Sequence, residues 1–329
     1  MSKKRVTISW LGALGCLGGL CLLLLSMGDI HLSLWTTTQA LLGLSSDRVA
    51  NLVVWDMRVP YVWAALITGS CLAVSGLILQ SLTNNDLVDS SLLGVNAGAS
   101  LGAVILIGLS GLVKTISVDR WLPAAAVVGA CISLLLVMLI GKSGTKMQIL
   151  LGGVALTALL NGIILMIQLR MDSFDFDKIL VWLSGSFWNT EMAFLRPYAG
   201  LTVLLLGATW LLHRELAVLV LGDQMARSAG VNLTTVKRLL MLLAVAMAAV
   251  AVSVGGAISL VGLMAPNMAR RFCGSRIQVL LPVTCLLGCV IMVLATVVAN
   301  NLFLPSVLPV GLVVAVITMP YFLYQLFKG

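Results

Sequence analysis

The one fragment of this chain with the look of a nucleotide site is Gly141-Lys142-Ser143. A phosphate-binding P-loop needs another glycine five positions before the second, so that the backbone wraps the phosphates, and that position holds Leu136. The fragment is a decoy, and Lys142 reads as an ordinary loop cation. The seven cysteines, Cys16, Cys21, Cys71, Cys131, Cys273, Cys285 and Cys289, lie in or beside apolar runs with no C-x-x-C pair, as small packing residues do. His31 and His213 are far apart without ligand-like spacing, so no metal site is expected. No catalytic group emerges. The chain reads as a non-enzyme that binds no cofactor of its own.

What remains is a set of neutral polar side chains. Gln80, Gln148, Asn161 and Gln168 interrupt apolar runs, and Asn84 and Asn85 follow the end of one. Each either lines a wet pathway or hydrogen-bonds a neighbouring helix; Gln80, Asn84, Asn85, Asn161 and Gln168 are the pathway candidates. All 12 Asp and Glu map to loops or span ends, and no Lys or Arg falls in the middle of a span. Carriers driven by protons or sodium keep an ionisable group inside the membrane, where it is too costly to retain without use. An ion-coupled carrier is therefore disfavoured, and uphill transport would draw its energy from another protein. A channel is not excluded on this ground, but no four-fold filter signature is evident.

The elements that must position these residues are membrane helices. Of the 329 residues 60% are hydrophobic and 10% charged, with a mean hydropathy of +1.10, far from a soluble domain. Runs of about 20 apolar residues, enough to cross roughly 30 Å of hydrocarbon, are read at 8–27, 61–82, 92–113, 122–140, 147–169, 194–212, 236–254, 277–301 and 308–327. A shorter, glycine-bounded run at 257–269 could only half-cross, which is tolerated where a broken helix is buried in protein. The expected fold is all-α and integral to the membrane, with about ten transmembrane helices, one of them short, in a single domain over 1–329. The first run follows Lys3, Lys4 and Arg5 but lacks a small-x-small cleavage site, so it reads as a retained helix. With the N-terminus inside, the inner loops hold Lys3, Lys4, Arg5, Lys142, Lys146, Arg214, Arg227, Lys237, Arg238, Arg270, Arg271, Arg276 and Lys328, thirteen of the 20 Lys and Arg. That asymmetry places both termini in the cytoplasm under the positive-inside rule. The net charge of +8 thus reflects topology, and scattered cations are no nucleic-acid footprint.

One inner stretch stands out as polar: Leu221 to Asn232, LGDQMARSAGVN. Asp223 is suited to an N-cap, Gln224 to Ala229 tolerate a helix, and Gly230 can end it in a left-handed conformation. A helix of about two turns is marginal alone in water, so something must pack against it. One basic residue, Arg227, and little apolar face make it a poor headgroup-lying helix. It reads as a docking element for a cytoplasmic partner.

Five motifs in order carry a family resemblance: RVP at 58–60, GSCLAVSGLILQSLTNNDLVDSSLLGVNAGASLG at 69–102, LGDQMARSAGV at 221–231, GGAISLVGLMAPNMAR at 255–270 and LPVG at 308–311. From about Trp55 to Phe327 the chain resembles the FecCD-type permeases of ABC importers for iron chelates, haem and cobalamin. The resemblance implies ten helices per subunit, two permease subunits around one pathway, two cytoplasmic ATPases that use ATP and Mg, and an extracytoplasmic binding protein. It implies that the segment at about 221–231 is a coupling helix in an ATPase cleft, with Leu221, Gly222, Asp223, Ala226, Arg227 and Gly230 as its contact and shape-giving residues. It also implies that Arg58, the one retained family arginine that can be aligned, docks an acidic residue of the binding protein. The chain departs from the family pattern at Tyr61, Asp86, Asn267, Thr296, Asn300 and Val307. Those departures suggest a heterodimer whose second, similar permease supplies the missing charges. A ferric siderophore is the expected cargo, with haem or cobalamin as the alternative.

Overall fold

The computed structural model describes residues 3–28, 30–112, 118–140, 146–187, 191–228, 230, 232–303 and 306–328, and among them every regular element is helical. The decoy fragment at 141–143 and the side chain of Asp223 lie outside the described residues. In chain order the helices are α1 (Lys3–Ser26), α2 (Leu34–Leu41), α3 (Arg48–Leu52), α4 (Val59–Thr83), α5 (Val95–Leu112), α6 (Val118–Ile140), α7 (Lys146–Gln168), α8 (Ser173–Leu183) and α9 (Met192–Leu211). They continue with α10 (His213–Val220), α11 (Asp223–Ser228), α12 (Leu233–Gly255), α13 (Val261–Cys273), α14 (Ile277–Asn301) and α15 (Val310–Lys328). Each of the ten expected spans coincides with one of α1, α4, α5, α6, α7, α9, α12, α13, α14 and α15. By length and composition five helical runs can cross a membrane: Arg48–Thr83, Leu151–Gln168, Met192–Leu211, Leu233–Gly255 and Ile277–Asn301. Shorter apolar stretches lie in α1, α5, α6 and α15.

The second span starts earlier than its apolar run. Asp47 caps α3 through the Val49 amide at 2.9 Å, and a π-helical turn, Val53–Arg58, joins α3 to α4 without a break. Asp56 and Arg58 interrupt the hydrophobic pattern here, which is why the sequence places the start at Tyr61. The helices α2, α8 and α10 are short pieces in loops, where bilayer-length periodicity gives no signal.

α4 is the central element. Of its most apolar stretch 83% is buried, against 22% for α9. It packs on α14, α12, α13 and α9, and a helix apolar on all faces belongs in such a position. Small residues permit the approach: a methyl group on Gly76 would collide with the Gly262 carbonyl, and one on Gly69 with that of Gly288. Ser75 Oγ adds a hydrogen bond to the Ala244 carbonyl of α12 at 2.6 Å. Gly76→Leu should therefore leave little folded protein after detergent extraction, since overpacking costs about 1–3 kcal/mol even without a backbone collision. Its thermal unfolding profile, compared with that of an exposed-position control such as Gly200→Leu, checks this.

Candidate functional site

The expected coupling segment is a supported helix. α10 buries Leu216 and Leu219 against α4 and α14, and α11 rests on α10 and α12. Gly222, at φ 102°, turns the chain into α11, and its carbonyl accepts the Ala226 amide at 3.1 Å. The capping position is thus Gly222, one residue before the expected Asp223. Gly230, at φ 77°, ends the helix in the left-handed conformation expected of it, its amide bonded to the Arg227 carbonyl at 3.0 Å. Ala226 is completely buried and faces the seat, whereas Leu221 is 68% and Met225 62% exposed. Two bare apolar side chains beside exposed Arg227, Leu221 at the end of α10 and Met225 on α11, suit insertion into a partner's groove. Sequence reading missed α10; the Leu216 and Leu219 pair at i and i+3 just after His213, Arg214 and Glu215 was its signal.

Behind this segment the polar candidates separate. Gln80 is 1% exposed; its amide donates to the carbonyls of Gly262 at 3.2 Å and Leu263 at 3.5 Å, and its oxygen accepts from Arg270 Nη1 at 2.6 Å. It braces α4 to α13. Arg270 Nη1 also reaches Asn267 Oδ1 at 3.1 Å and pairs with Asp86 Oδ1 at 3.1 Å. Asn84 closes α4 in a left-handed conformation, and Asn85 Oδ1 accepts the Leu87 amide at 3.0 Å in a turn. Gln80, Asn84, Asp86 and Arg270 line one cavity of about 230 Å³ whose wall includes Val220, the last residue of α10. Asn161 is exposed on α7 and Gln168 is buried at its end, so neither joins this group. Arg270, Asp86 and Asn267 are residues that sequence reading treated as loop charges or departures.

A further correction concerns Asp89. Expected at a surface loop, it is 3% exposed, because residues 85–94 turn back into the bundle. A methyl on Gly262 would meet both Asp89 Oδ1 and the carbonyl of Leu72, a residue midway along α4. The carboxylate is committed there: it accepts from the amides of Leu260 at 3.2 Å and Ser90 at 2.8 Å and from Ser91 Oγ at 3.2 Å.

On the opposite face Arg58 is 9% exposed. Nη1 donates to the Leu25 carbonyl at 2.7 Å and Nη2 to that of Ile30, which fastens the π-helical turn to the end of α1. A docking partner would have to draw the guanidinium out of these bonds. Arg58 lines a cavity of about 230 Å³ with Tyr61, Asn300 and Val307, so three of the departures from the family pattern fall beside the one retained arginine. Asn300 Oδ1 is buried there without a hydrogen-bond partner.

The sequence profile of the FecCD transport family matches residues 16–328. The chain belongs to that family. Among the relatives of this FecCD permease is the iron(3+)-hydroxamate import system permease protein FhuG of Bacillus subtilis, 36% identical over 310 residues, 93% of this chain and 92% of FhuG. The Fe(3+) dicitrate transport system permease protein FecD of Escherichia coli is 34% identical over 276 residues, 84% and 85% of the two chains. A solved structure described as an inward-facing conformation of a putative metal-chelate type ABC transporter superposes with a TM-score of 0.87 at 26% identity, covering 98% of this chain and 99% of that one. The all-helical, multi-pass membrane architecture is common to the family.

Proposed function

We propose that this FecCD permease carries a ferric chelate of the siderophore class into the cytoplasm. It works with a second, similar permease subunit, two ATP-binding subunits that use ATP and Mg, and an extracytoplasmic binding protein. The observation that carries the reading is α11, a short helix seated on α10, with Met225 and, at the α10–α11 junction, Leu221 presented outward. Through α10 it bears on α4 and α14, so displacement by an ATPase reaches the core of the bundle. The names of the relatives support iron(3+) chelates as cargo over haem and cobalamin. The charge bias of the loops supports cytoplasmic termini. The likeness to an inward-facing transporter supports a state open toward the α11 face. Departures gathered around Arg58 support a heterodimer with unequal docking surfaces. Asp89 does not revive the ion-coupled reading, because its carboxylate is already occupied by backbone and hydroxyl donors.

The test is co-purification of the full transporter followed by ATPase and uptake assays in proteoliposomes without an ion gradient. Ferric hydroxamates or ferric citrate should stimulate hydrolysis and be taken up with ATP alone. Stimulation by haem or cobalamin only would move the cargo to the alternative class, and uptake requiring a proton or sodium gradient would overturn the ATP-driven reading.

A further inference from the structure

After α4 the chain runs back along α13 and grips it twice. Near the C-terminal end of α13, Asp86 pairs with Arg270, and the Asp86 carbonyl accepts from Asn267 Nδ2 at 2.9 Å. Three residues on, Asp89 holds the amide of Leu260 immediately before the opposite end. On α13 the two grips fall at Asn267 and Leu260, about seven helical residues or roughly 10 Å apart.

The inner grip holds an unfavourable conformation. Among the described residues two that are not glycine have positive φ, Asn84 and Leu260, the latter at 72°. Asparagine tolerates that region; a bulky apolar residue adopts it only where its surroundings impose it. Here the imposing group is the Asp89 carboxylate, itself fixed by Ser90 and Ser91 and admitted by the missing side chain of Gly262. Asn96, from the first turn of α5, adds a bond from Nδ2 to the Ile258 carbonyl at 3.1 Å.

We propose that residues 85–94 and α13 move as one rigid body during the transport cycle, clamped by Asp86 at one end and Asp89 at the other. Asp89 is the positioning residue that sets where α13 begins. A short helix tied at a single point pivots about it; a second attachment removes that freedom. The clamp gives movement of α10, which shares a cavity wall with Asp86 and Arg270, a stiff route to the middle of the bundle. The inference rests on the permease reading.

The test places spin labels at Leu87, about half exposed beside the outer grip, and at Ser259, partly exposed beside the inner one, after replacing the seven native cysteines. The full transporter is measured nucleotide-free and trapped with ATP and vanadate. With Asp89 present the label separation should change by less than about 2 Å between states, whereas Asp89→Ala should broaden it and shift it by about 5 Å, one helical turn. Asp89→Asn, which keeps an acceptor for Leu260, should retain the narrow distribution and uptake within about three-fold, a loss below 1 kcal/mol. A one-turn change in the unaltered clamp, or no effect of Asp89→Ala, overturns the proposal. So does loss of uptake in Asp89→Asn with distances intact, which would mark a proton-carrying carboxylate. Should Asp89→Ala fail to assemble, the separation with Asp89 present still decides between a rigid and a hinged body. If the purified complex hydrolyses no ATP, the permease reading falls, and the comparison of Asp89 with Asp89→Ala in the isolated chain still tests the clamp.

Discussion

Ala226→Pro should reduce ATP-driven uptake below detection while leaving the subunit in the membrane. The Ala226 amide closes the first turn of α11 onto the Gly222 carbonyl, and proline removes that donor. A proline in a helix interior costs about 3 kcal/mol, more than a helix of six residues can offset by its own hydrogen bonds. The substitution lies in a surface element, so insertion of the spans is spared. Membrane content by immunoblot, retention of the ATPase on purification and uptake of a radiolabelled ferric hydroxamate form the measurement. Ala226→Ser, which keeps the amide and nearly the volume, should transport normally. Full uptake by inserted Ala226→Pro would remove α11 from the coupling role.

Arg58→Glu is expected to be nearly as severe, for a different reason. It would set an anion against the carbonyl oxygens of Leu25 and Ile30 in a site less than a tenth exposed. Each hydrogen bond to a charged group is worth about 1.5–3 kcal/mol, so losing both should lower the melting temperature by roughly 5 °C or more. Arg58→Lys keeps the charge but loses the planar fork that serves two carbonyls at once, and should fall between. Thermal unfolding of the purified subunit in detergent reads this directly. The docking role makes the opposite forecast: normal stability, slower delivery by the binding protein, and partial rescue by a reversed charge on that partner, with the salt dependence of an encounter effect. A double-mutant cycle on the complex separates the two.

The nine full spans were legible because the bilayer dictates them, about 20 apolar residues with every backbone group satisfied internally reading as a helix whatever the packing, and the eighth was legible as a short run bounded by glycine. α11 was legible from its punctuation, since Gly230 supplies a left-handed position that other residues resist, although the cap falls at Gly222 and not at Asp223. Depth was not legible. Asp89 reads as a loop carboxylate because its neighbours are polar, and nothing in NNDLVDSS says that the loop folds inward. The available clue was the length of the eighth span, whose inner end must lie within the bundle and needs an acceptor for its free amides. Gln80 could be named but not assigned, because a buried amide bracing two helices and one lining a pathway have the same sequence. Arg58 was ambiguous likewise: one cation at a span edge does not reveal whether it points out or folds back.

The shortness of α13 bears on how the protein is made. Its 13 residues, about 20 Å of helix, include Pro266, Asn267, Arg270 and Arg271. Such a segment has too little apolar length to partition into lipid as an independent unit, and Pro266, Asn267 and the two arginines of its last turn shorten its apolar stretch further. Its acceptors for Arg270 and Asn267, and the glycine face that admits Gly262, belong to α4 and to residues 85–94, synthesised 181 to 190 residues earlier. α13 would therefore enter the membrane as a guest of structure already in place, drawn in against α4 and α14 after the first half of the chain has assembled. Damage to α4 or to the Asp89 loop would then surface during biogenesis as a permease with nine helices seated and the eighth stranded at the interface.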